Sequence, residues 1–99
     1  MRIEFHPAAR DELIESTRYY TEQAGPDVGR AFQRAVVDSV GRVAQFPLSW
    51  PRDRRGTRRS LLRTFPFAIV YHVDEDRIVV VAVAHLKRRP GYWIGRRQP

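Results

Sequence analysis

Arginine is the residue type whose abundance and spacing point most directly to chemistry in this sequence. Of the 18 basic residues all but Lys87 are arginine, and with 11 acidic residues the net charge is +7 and the pI near 11.0. Five arginines, offset locally by Asp53, fall in one short segment: Arg52, Arg54, Arg55, Arg58 and Arg59. The planar guanidinium group binds phosphate and carboxylate through paired hydrogen bonds. The composition therefore predicts a polyanion or an acidic protein as the partner.

Histidine and cysteine offer no second chemistry by their spacing. Cysteine is absent, which excludes disulfides and thiolate zinc sites, and His6, His72 and His85 are too scattered in sequence to suggest a metal cluster. A histidine within a strand, such as His72, or at the end of a buried strand, such as His85, more often packs or hydrogen-bonds than catalyses. We therefore expect no metal and no cofactor.

A β-hairpin is the strongest structural signal around these residues. Residues 67–73 and 77–86 are rich in β-branched and aromatic side chains and flank the short polar link 74–76. Residues 78–84 are continuously apolar, which indicates a strand that is covered on both faces and lies in the centre of a sheet. Residues 58–63 predict a preceding strand, so the three strands form an antiparallel meander.

The first half of the chain predicts one short strand and two helices. Residues 2–5 alternate between polar and apolar, and residues 8–23 repeat apolar side chains at the spacing of an amphipathic helix. Gly25 ends this helix and Pro26 begins a second one, which stops before Pro47. Because the link is short, the helices should form an antiparallel hairpin whose apolar stripe packs on the sheet.

Individual residues of the two helices carry further expectations. Gly29 and Gly41 weaken the second helix by roughly 1 kcal/mol each relative to alanine, so we expect another element to pack closely against both. Tyr19, Tyr20 and Phe32 are predicted to lie in the core or at the helix interface rather than to carry chemistry.

Together these elements define an α+β fold with the order β-α-α-β-β-β: an N-terminal strand, an antiparallel helical hairpin and a three-stranded antiparallel meander. Ninety-nine residues suit one domain, so we assign residues 1–99 to a single unit. No segment approaches the roughly 18–20 apolar residues of a membrane span, and no leader pattern opens the chain. We expect a cytoplasmic protein that does not enter a membrane.

This succession of features resembles the ParE/RelE superfamily of type II toxins. The element order, the Phe46-Pro47 pair with Trp50 soon after, the stretch LLRTFPFAIVYHVDEDRIVVVAVAH and the terminal RRPGYW carry the resemblance, which spans residues 3–93. It implies a small basic toxin that is held inactive by a cognate acidic antitoxin, itself a DNA-binding repressor. In the ParE-like branch it implies a poison of DNA gyrase.

The RelE-like branch implies a different activity, the cleavage of messenger RNA on the ribosome. Attack by a 2′-hydroxyl needs a group to take its proton, a group to protonate the leaving oxygen and positive charge around the phosphorus. The resemblance carries these roles to Arg59, Arg63, His85, Arg88 and Tyr92. However, Ala68 and Leu61 stand where such nucleases carry basic residues. The set is incomplete, so we favour the ParE-like activity, without a catalytic step.

Three functions therefore stay open: a ParE-like gyrase poison, a RelE-like endoribonuclease that acts with the ribosome and messenger RNA, and a non-toxic basic module that binds nucleic acid. We expect Tyr92 and Trp93 to anchor the C-terminal segment on the domain. The residues expected to bind the antitoxin or the target are Arg52, Arg54, Arg55, Arg58, Arg59, Arg63, Lys87, Arg88 and Arg89.

Overall fold

The computed structural model describes residues 1–96 and confirms the α+β class and the order β-α-α-β-β-β. Its elements are β1 Arg2–Phe5, α1 Pro7–Ala24, α2 Pro26–Gln45, β2 Arg58–Leu61, β3 Phe67–Asp74 and β4 Arg77–His85. Strand β2 ends two residues before the predicted boundary, because the chain turns sharply after it. Thr64 takes a φ of 63° in that turn, and the Leu62 N–H donates to the Phe67 carbonyl over 2.9 Å.

The four strands form one mixed sheet in the order β1-β4-β3-β2. Strands β2, β3 and β4 make the predicted antiparallel meander, and β1 adds in parallel to β4, with Ile3 opposite Ile78 and Phe5 opposite Val80. The central position predicted for β4 is confirmed. The His6 N–H extends the β1 ladder by donating to the Val80 carbonyl over 2.9 Å.

Helices α1 and α2 cover one face of the sheet. The His6 Nδ1 caps α1 by accepting from the Ala8 N–H, and Gly25 alone separates the helices, with a φ of 98° that suits glycine. The core on this face contains Ala9, Phe32, Val36, Val43, Leu62, Phe67, Ile69, Tyr71, Ile78, Val80 and Val83. Neither helix is long and apolar enough to cross a membrane.

The aromatic residues of the helices meet those of the sheet at one end of this core. The Tyr20 ring lies 5.2 Å from Phe32 and 5.0 Å from Phe65, and Phe32 lies 4.9 Å from Phe67, centroid to centroid. The prediction for Tyr20 and Phe32 is confirmed. Tyr19 is 60% exposed, so its predicted place in the core is wrong. Adjacent helical residues point about 100° apart, and only Tyr20 of this pair faces the sheet.

The two glycines of α2 differ in their surroundings. A Cβ atom at Gly29 would overlap the Thr21 hydroxyl of α1, so the predicted close packing is confirmed there. At Gly41 nothing lies within 4 Å of such an atom, so the prediction for Gly41 is wrong. The contact of Gly29 with Thr21 brings the start of α2 against the end of α1, as an antiparallel hairpin requires.

A β-bulge in β4 changes which of its residues face each side of the sheet. Tyr71 pairs with Val80 and Val70 with Ala82, so Val81 is an extra residue in the register. The bulge changes the alternation: Ile78, Val80 and Val83 face the helices, whereas Val79, Val81, Ala82 and Ala84 contribute to a second core. Trp93 and Tyr92 from the C-terminal segment pack against this second core.

Candidate functional site

The arginine-rich loop is ordered by its one acidic residue. The Asp53 carboxylate accepts from the Arg55 N–H over 2.8 Å, from the Thr57 N–H over 3.0 Å and from the Thr57 hydroxyl over 3.1 Å. Burial by itself would raise the pKa of Asp53, but these hydrogen bonds outweigh it and hold that pKa below its usual value. Asp53 thus shapes the loop as well as offsetting its charge.

The arginines of this loop divide into structural and exposed members. The Arg58 guanidinium donates to the backbone carbonyls of residues 48 and 50, and Arg55 Nη1 lies 3.7 Å from Asp53 Oδ2. The other three are exposed, and within residues 1–96 their side chains have no hydrogen-bond or ion-pair partner. These three are Arg52, Arg54 and Arg59. They are therefore available to an anionic partner.

A basic and apolar surface follows the outer side of β2, and we call it the β2-edge surface. Its members are Arg34, Arg42, Arg59, Leu61 and Arg63. In the described sheet β2 pairs with β3 alone, so its other edge presents unpaired backbone groups. A depression of about 480 Å³ lies beside Leu61 and Trp50, and one of about 180 Å³ lies between α2 and Arg63. Arg42 borders both depressions, and Leu61 is 56% exposed.

After β4 the chain returns across the face of the sheet opposite the helices. Residues 86–95 are a series of turns, and Trp93, only 7% exposed, packs with Ala68, Val70 and Val79. Tyr92 is partly buried against the same cluster, with its ring centroid 5.4 Å from that of Trp93. The predicted anchoring of the C-terminal segment by these two aromatic residues is confirmed.

Glu12 of α1 fixes the C-terminal segment, and the sequence reading missed it. Its Oε2 accepts from the Tyr92 hydroxyl over 2.8 Å, and its Oε1 accepts from the Val83 N–H over 3.0 Å and from Arg96 Nη1 over 3.1 Å. Arg88 Nη1 is 3.8 Å from Oε2. The Val83 N–H needs this acceptor because β1 ends at Phe5 and leaves the rest of the β4 edge unpaired. The signal in the sequence that could have indicated this role was an acidic residue next to the apolar stripe of α1.

Tyr92 is held as a neutral phenol by this arrangement. Burial and the hydrogen bond to the Glu12 carboxylate raise the pKa of Tyr92 well above its usual value, and the positive charges of Arg88 and Arg96 offset only part of the rise. The guanidinium carbon of Arg88 lies 3.8 Å from the centre of the Tyr92 ring, and that of Arg96 lies 5.1 Å from it. Two of the residues assigned to RNA cleavage are therefore engaged with one another and with Glu12.

The five residues that the nuclease reading names do not all meet. Arg59, His85, Arg88 and Tyr92 border one small cavity of about 40 Å³, together with Ala68. Arg63 lies instead on the β2-edge surface, near α2. Ala68, which replaces a nuclease arginine, is 1% exposed and packs in the cluster of Trp93.

The histidines occupy structural positions. His85 Nδ1 accepts from the Lys87 N–H over 3.0 Å, and its ring lies 5.0 Å from that of Phe67. His6 caps α1, and His72 is a partly buried residue of β3. Across residues 1–96 no three His, Asp or Glu side chains form a group that could hold a metal ion. The remaining predicted binding residues, Lys87 and Arg89, are exposed on the turns that follow β4.

This fold is that of a known class of toxin–antitoxin protein. A chain of the chromosomal ParDE toxin–antitoxin system from P. aeruginosa superposes with a TM-score of 0.77, over 88% of this chain and 97% of that chain, at 21% sequence identity. A family model described as the ParE toxin of type II toxin-antitoxin system, parDE, matches residues 3–90. The chain therefore belongs to the ParE toxin family, as the sequence resemblance implied.

Curated relatives agree with this assignment. The chain is 26% identical to Toxin ParE2 of Mycobacterium tuberculosis strain CDC 1551 / Oshkosh over 89 residues, which cover 90% of this chain and 85% of the relative. Toxin ParE2 of Mycobacterium tuberculosis strain ATCC 25618 / H37Rv matches with the same identity and coverage.

Proposed function

We propose that this ParE-family toxin acts by binding and poisoning DNA gyrase, without cutting RNA, and that a cognate acidic antitoxin neutralises it. Membership of the family supports the toxin role. The choice between gyrase poison and ribonuclease depends on the residues around Ala68. The packing and contacts of those residues are the observation on which the proposal rests.

The cavity at Ala68 is small for the chemistry of RNA cleavage. Its volume is only about 40 Å³, and two of the residues that border it, Arg88 and Tyr92, are already engaged with Glu12. The Tyr92 hydroxyl donates a hydrogen bond to Glu12, and its raised pKa keeps it protonated near neutral pH, so it is not available as a base. Ala68 itself offers no guanidinium group, and Trp93 packs in the same apolar cluster as this residue.

A second candidate is the ribosome-dependent ribonuclease, and one observation favours it. Arg59, His85, Arg88 and Tyr92 border the same cavity although they lie far apart in sequence. If the C-terminal segment moved away on the ribosome, His85 would be the group to take the 2′-hydroxyl proton and Arg88 the group to stabilise negative charge. The non-toxic nucleic-acid-binding module is the third reading, and the same experiment tests it.

The deciding experiment compares two activities of the purified full-length protein. One arm measures gyrase supercoiling and the accumulation of cleaved DNA complexes, and the other measures cleavage of messenger RNA on programmed ribosomes. The variants are His85→Ala and Arg88→Ala, and the control is Arg30→Ala, whose side chain pairs with Asp27 on the exposed side of α2. We expect cleaved gyrase complexes with wild type, with His85→Ala and with the control, and no cuts in the messenger.

Two results would contradict the proposal. Discrete messenger cuts that disappear with His85→Ala or Arg88→Ala, but persist with Arg30→Ala, would establish the ribonuclease. The absence of both activities would contradict both toxin readings and favour the non-toxic module.

The β2-edge surface is where we propose that the antitoxin binds. It combines four arginines with the exposed Leu61 and an unpaired strand edge. Among the described residues, the acids that border its two depressions are Asp38 and Asp53. An extended acidic segment with apolar side chains could add to this edge through backbone hydrogen bonds, place an apolar residue beside Leu61 and pair its carboxylates with the guanidinium groups. Charge complementarity thus favours an acidic peptide as the occupant.

Paired variants of equal charge test this surface. Arg63→Glu is expected to weaken binding of the purified antitoxin by about 30-fold or more, since a desolvated charge pair lost at an interface costs 2 kcal/mol or more. The control Arg18→Glu makes the same change of charge on the exposed side of α1, which packs on α2 and β4, and should alter affinity by less than about threefold. Equal losses with both variants, measured by calorimetry, would show that net charge and not this surface governs the affinity.

A further inference from the structure

A cavity of about 230 Å³ lies between the arginine-rich loop and the C-terminal segment, on the side of the sheet opposite the helices. Arg54 and Arg55 border it from the loop, Arg96 and Trp93 border it from the C-terminal segment, and His72 borders it from β3. Among the described residues no aspartate or glutamate lines it. The cavity is therefore a basic recess, separate from the β2-edge surface and from the small cavity at Ala68.

The guanidinium groups of this recess are held in place to different degrees. Arg55 lies 3.7 Å from Asp53, and Arg96 is fixed by Glu12 at 3.1 Å and by the Val81 carbonyl at 3.1 Å. Arg54 is exposed and, within residues 1–96, has no partner for its side chain. Two guanidinium groups are thus fixed at the wall while a third, uncompensated one stands at the entrance.

Trp93 forms part of the wall of the recess. Its indole N–H is the one buried side-chain polar atom in residues 1–96 that has no hydrogen-bond partner. Buried polar groups in folded proteins nearly always have a partner, either in the protein or in a bound molecule. The indole nitrogen is covered by protein in this structure, so Trp93 serves as a reporter at the wall of the recess and not as a donor to what enters it.

We propose that this recess is a binding site for a phosphate group, with Arg54 and Arg55 as donors from the loop and Arg96 as a donor from the C-terminal segment. Phosphate offers acceptor oxygens in several directions, so it can take hydrogen bonds from the loop and from the C-terminal segment at once. At about 230 Å³ the recess is large enough to admit a phosphate group. The inference does not depend on the choice of gyrase as the target.

The indole N–H of Trp93 gives a direct readout. The chain has two tryptophans, so Trp50→Phe assigns the two indole signals in a proton–nitrogen correlation spectrum of the full-length protein. Inorganic phosphate is titrated at constant ionic strength with chloride as the balancing ion, and a short single-stranded DNA is titrated in a second arm. We expect a saturable shift of the Trp93 indole signal with phosphate. If DNA produces the same shift and competes with phosphate, the group bound is a nucleic-acid phosphate, and otherwise it is the free ion.

The matched variants are Arg54→Gln and Arg52→Gln, which remove equal charge from the same loop, although only Arg54 borders the recess. Arg54→Gln is expected to weaken phosphate binding about tenfold, and Arg52→Gln by less than about twofold. Both side chains are exposed, so neither variant should unfold the protein. An indole signal that does not move, that moves equally with chloride, or that responds identically in the two variants would overturn the proposal.

Discussion

Glu12 provides the sharpest test of how the C-terminal segment is held on the sheet. In Glu12→Ala the Val83 N–H and the Tyr92 hydroxyl lose their acceptor, and Arg96 loses its carboxylate. The Glu12 side chain is only 13% exposed, so water replaces these bonds poorly. Removing one partner of a buried, hydrogen-bonded charge pair costs about 3–5 kcal/mol, and we expect the free energy of unfolding to fall by about 3 kcal/mol. For a chain of this size the melting temperature should drop by roughly 12 °C or more.

The control for this variant is Glu15→Ala, which removes the same charge from the next turn of α1. Glu15 is exposed and makes no side-chain hydrogen bond within residues 1–96, so its loss should change stability by less than about 0.5 kcal/mol. Urea unfolding measures both variants, and hydrogen exchange at the Val83 amide reports the local effect. We expect that amide to exchange faster by about a hundredfold in Glu12→Ala, which is the stability change converted to a ratio. Equal stabilities of the two variants would refute the role assigned to Glu12.

Three further outcomes are expected. The pKa of Tyr92 is raised in the folded state, so the unfolded chain loses this proton first as the pH rises. The free energy of unfolding should therefore fall above about pH 10. Urea unfolding of Tyr92→Phe should show a shallower fall over the same pH range. Gly41→Ala should raise the free energy of unfolding by about 1 kcal/mol through helix propensity, whereas Gly29→Ala should give no such gain because its methyl group meets a threonine hydroxyl. The buried hydroxyls of Ser39 and Ser60 bond over 2.9 Å, so each serine-to-alanine change should cost about 1–2 kcal/mol, and the double variant should cost less than the sum.

The helices, the strands and the pairing of neighbouring strands were predicted well from the sequence. The strongest signal was the pattern of apolar residues in β4, which indicated burial on both faces. The continuous apolar run of β4 required cover on both faces, and the structure supplies helices on one and Trp93 on the other. The prolines and Gly25 marked the helix ends because they restrict the backbone locally. These features depend on neighbouring residues in the chain, which a single sequence displays.

The features that escaped prediction depend on distant residues. The extra residue Val81 in β4 is invisible in a run of valines, since the register is set by the partner strand. Glu12 looked like an ordinary acid of a helix, because its donors lie 71 to 84 positions further along the chain. The predictions for Gly41 and Tyr19 were wrong because helical periodicity indicates which residues share a face, but not which element packs against that face.

The parallel pairing of β1 with β4 has a consequence for how this toxin folds during its synthesis. The first strand, Arg2–Phe5, finds its hydrogen-bond partners in residues 77–80, at the other end of the described fold. Contacts so distant in sequence form late and slowly, since the loop between them must close first. A nascent chain that lacks β4 has neither a place for β1 nor the strand that carries both cores. Native toxin surfaces therefore assemble only after β4 has been synthesised, and shorter chains leave apolar segments of both cores exposed.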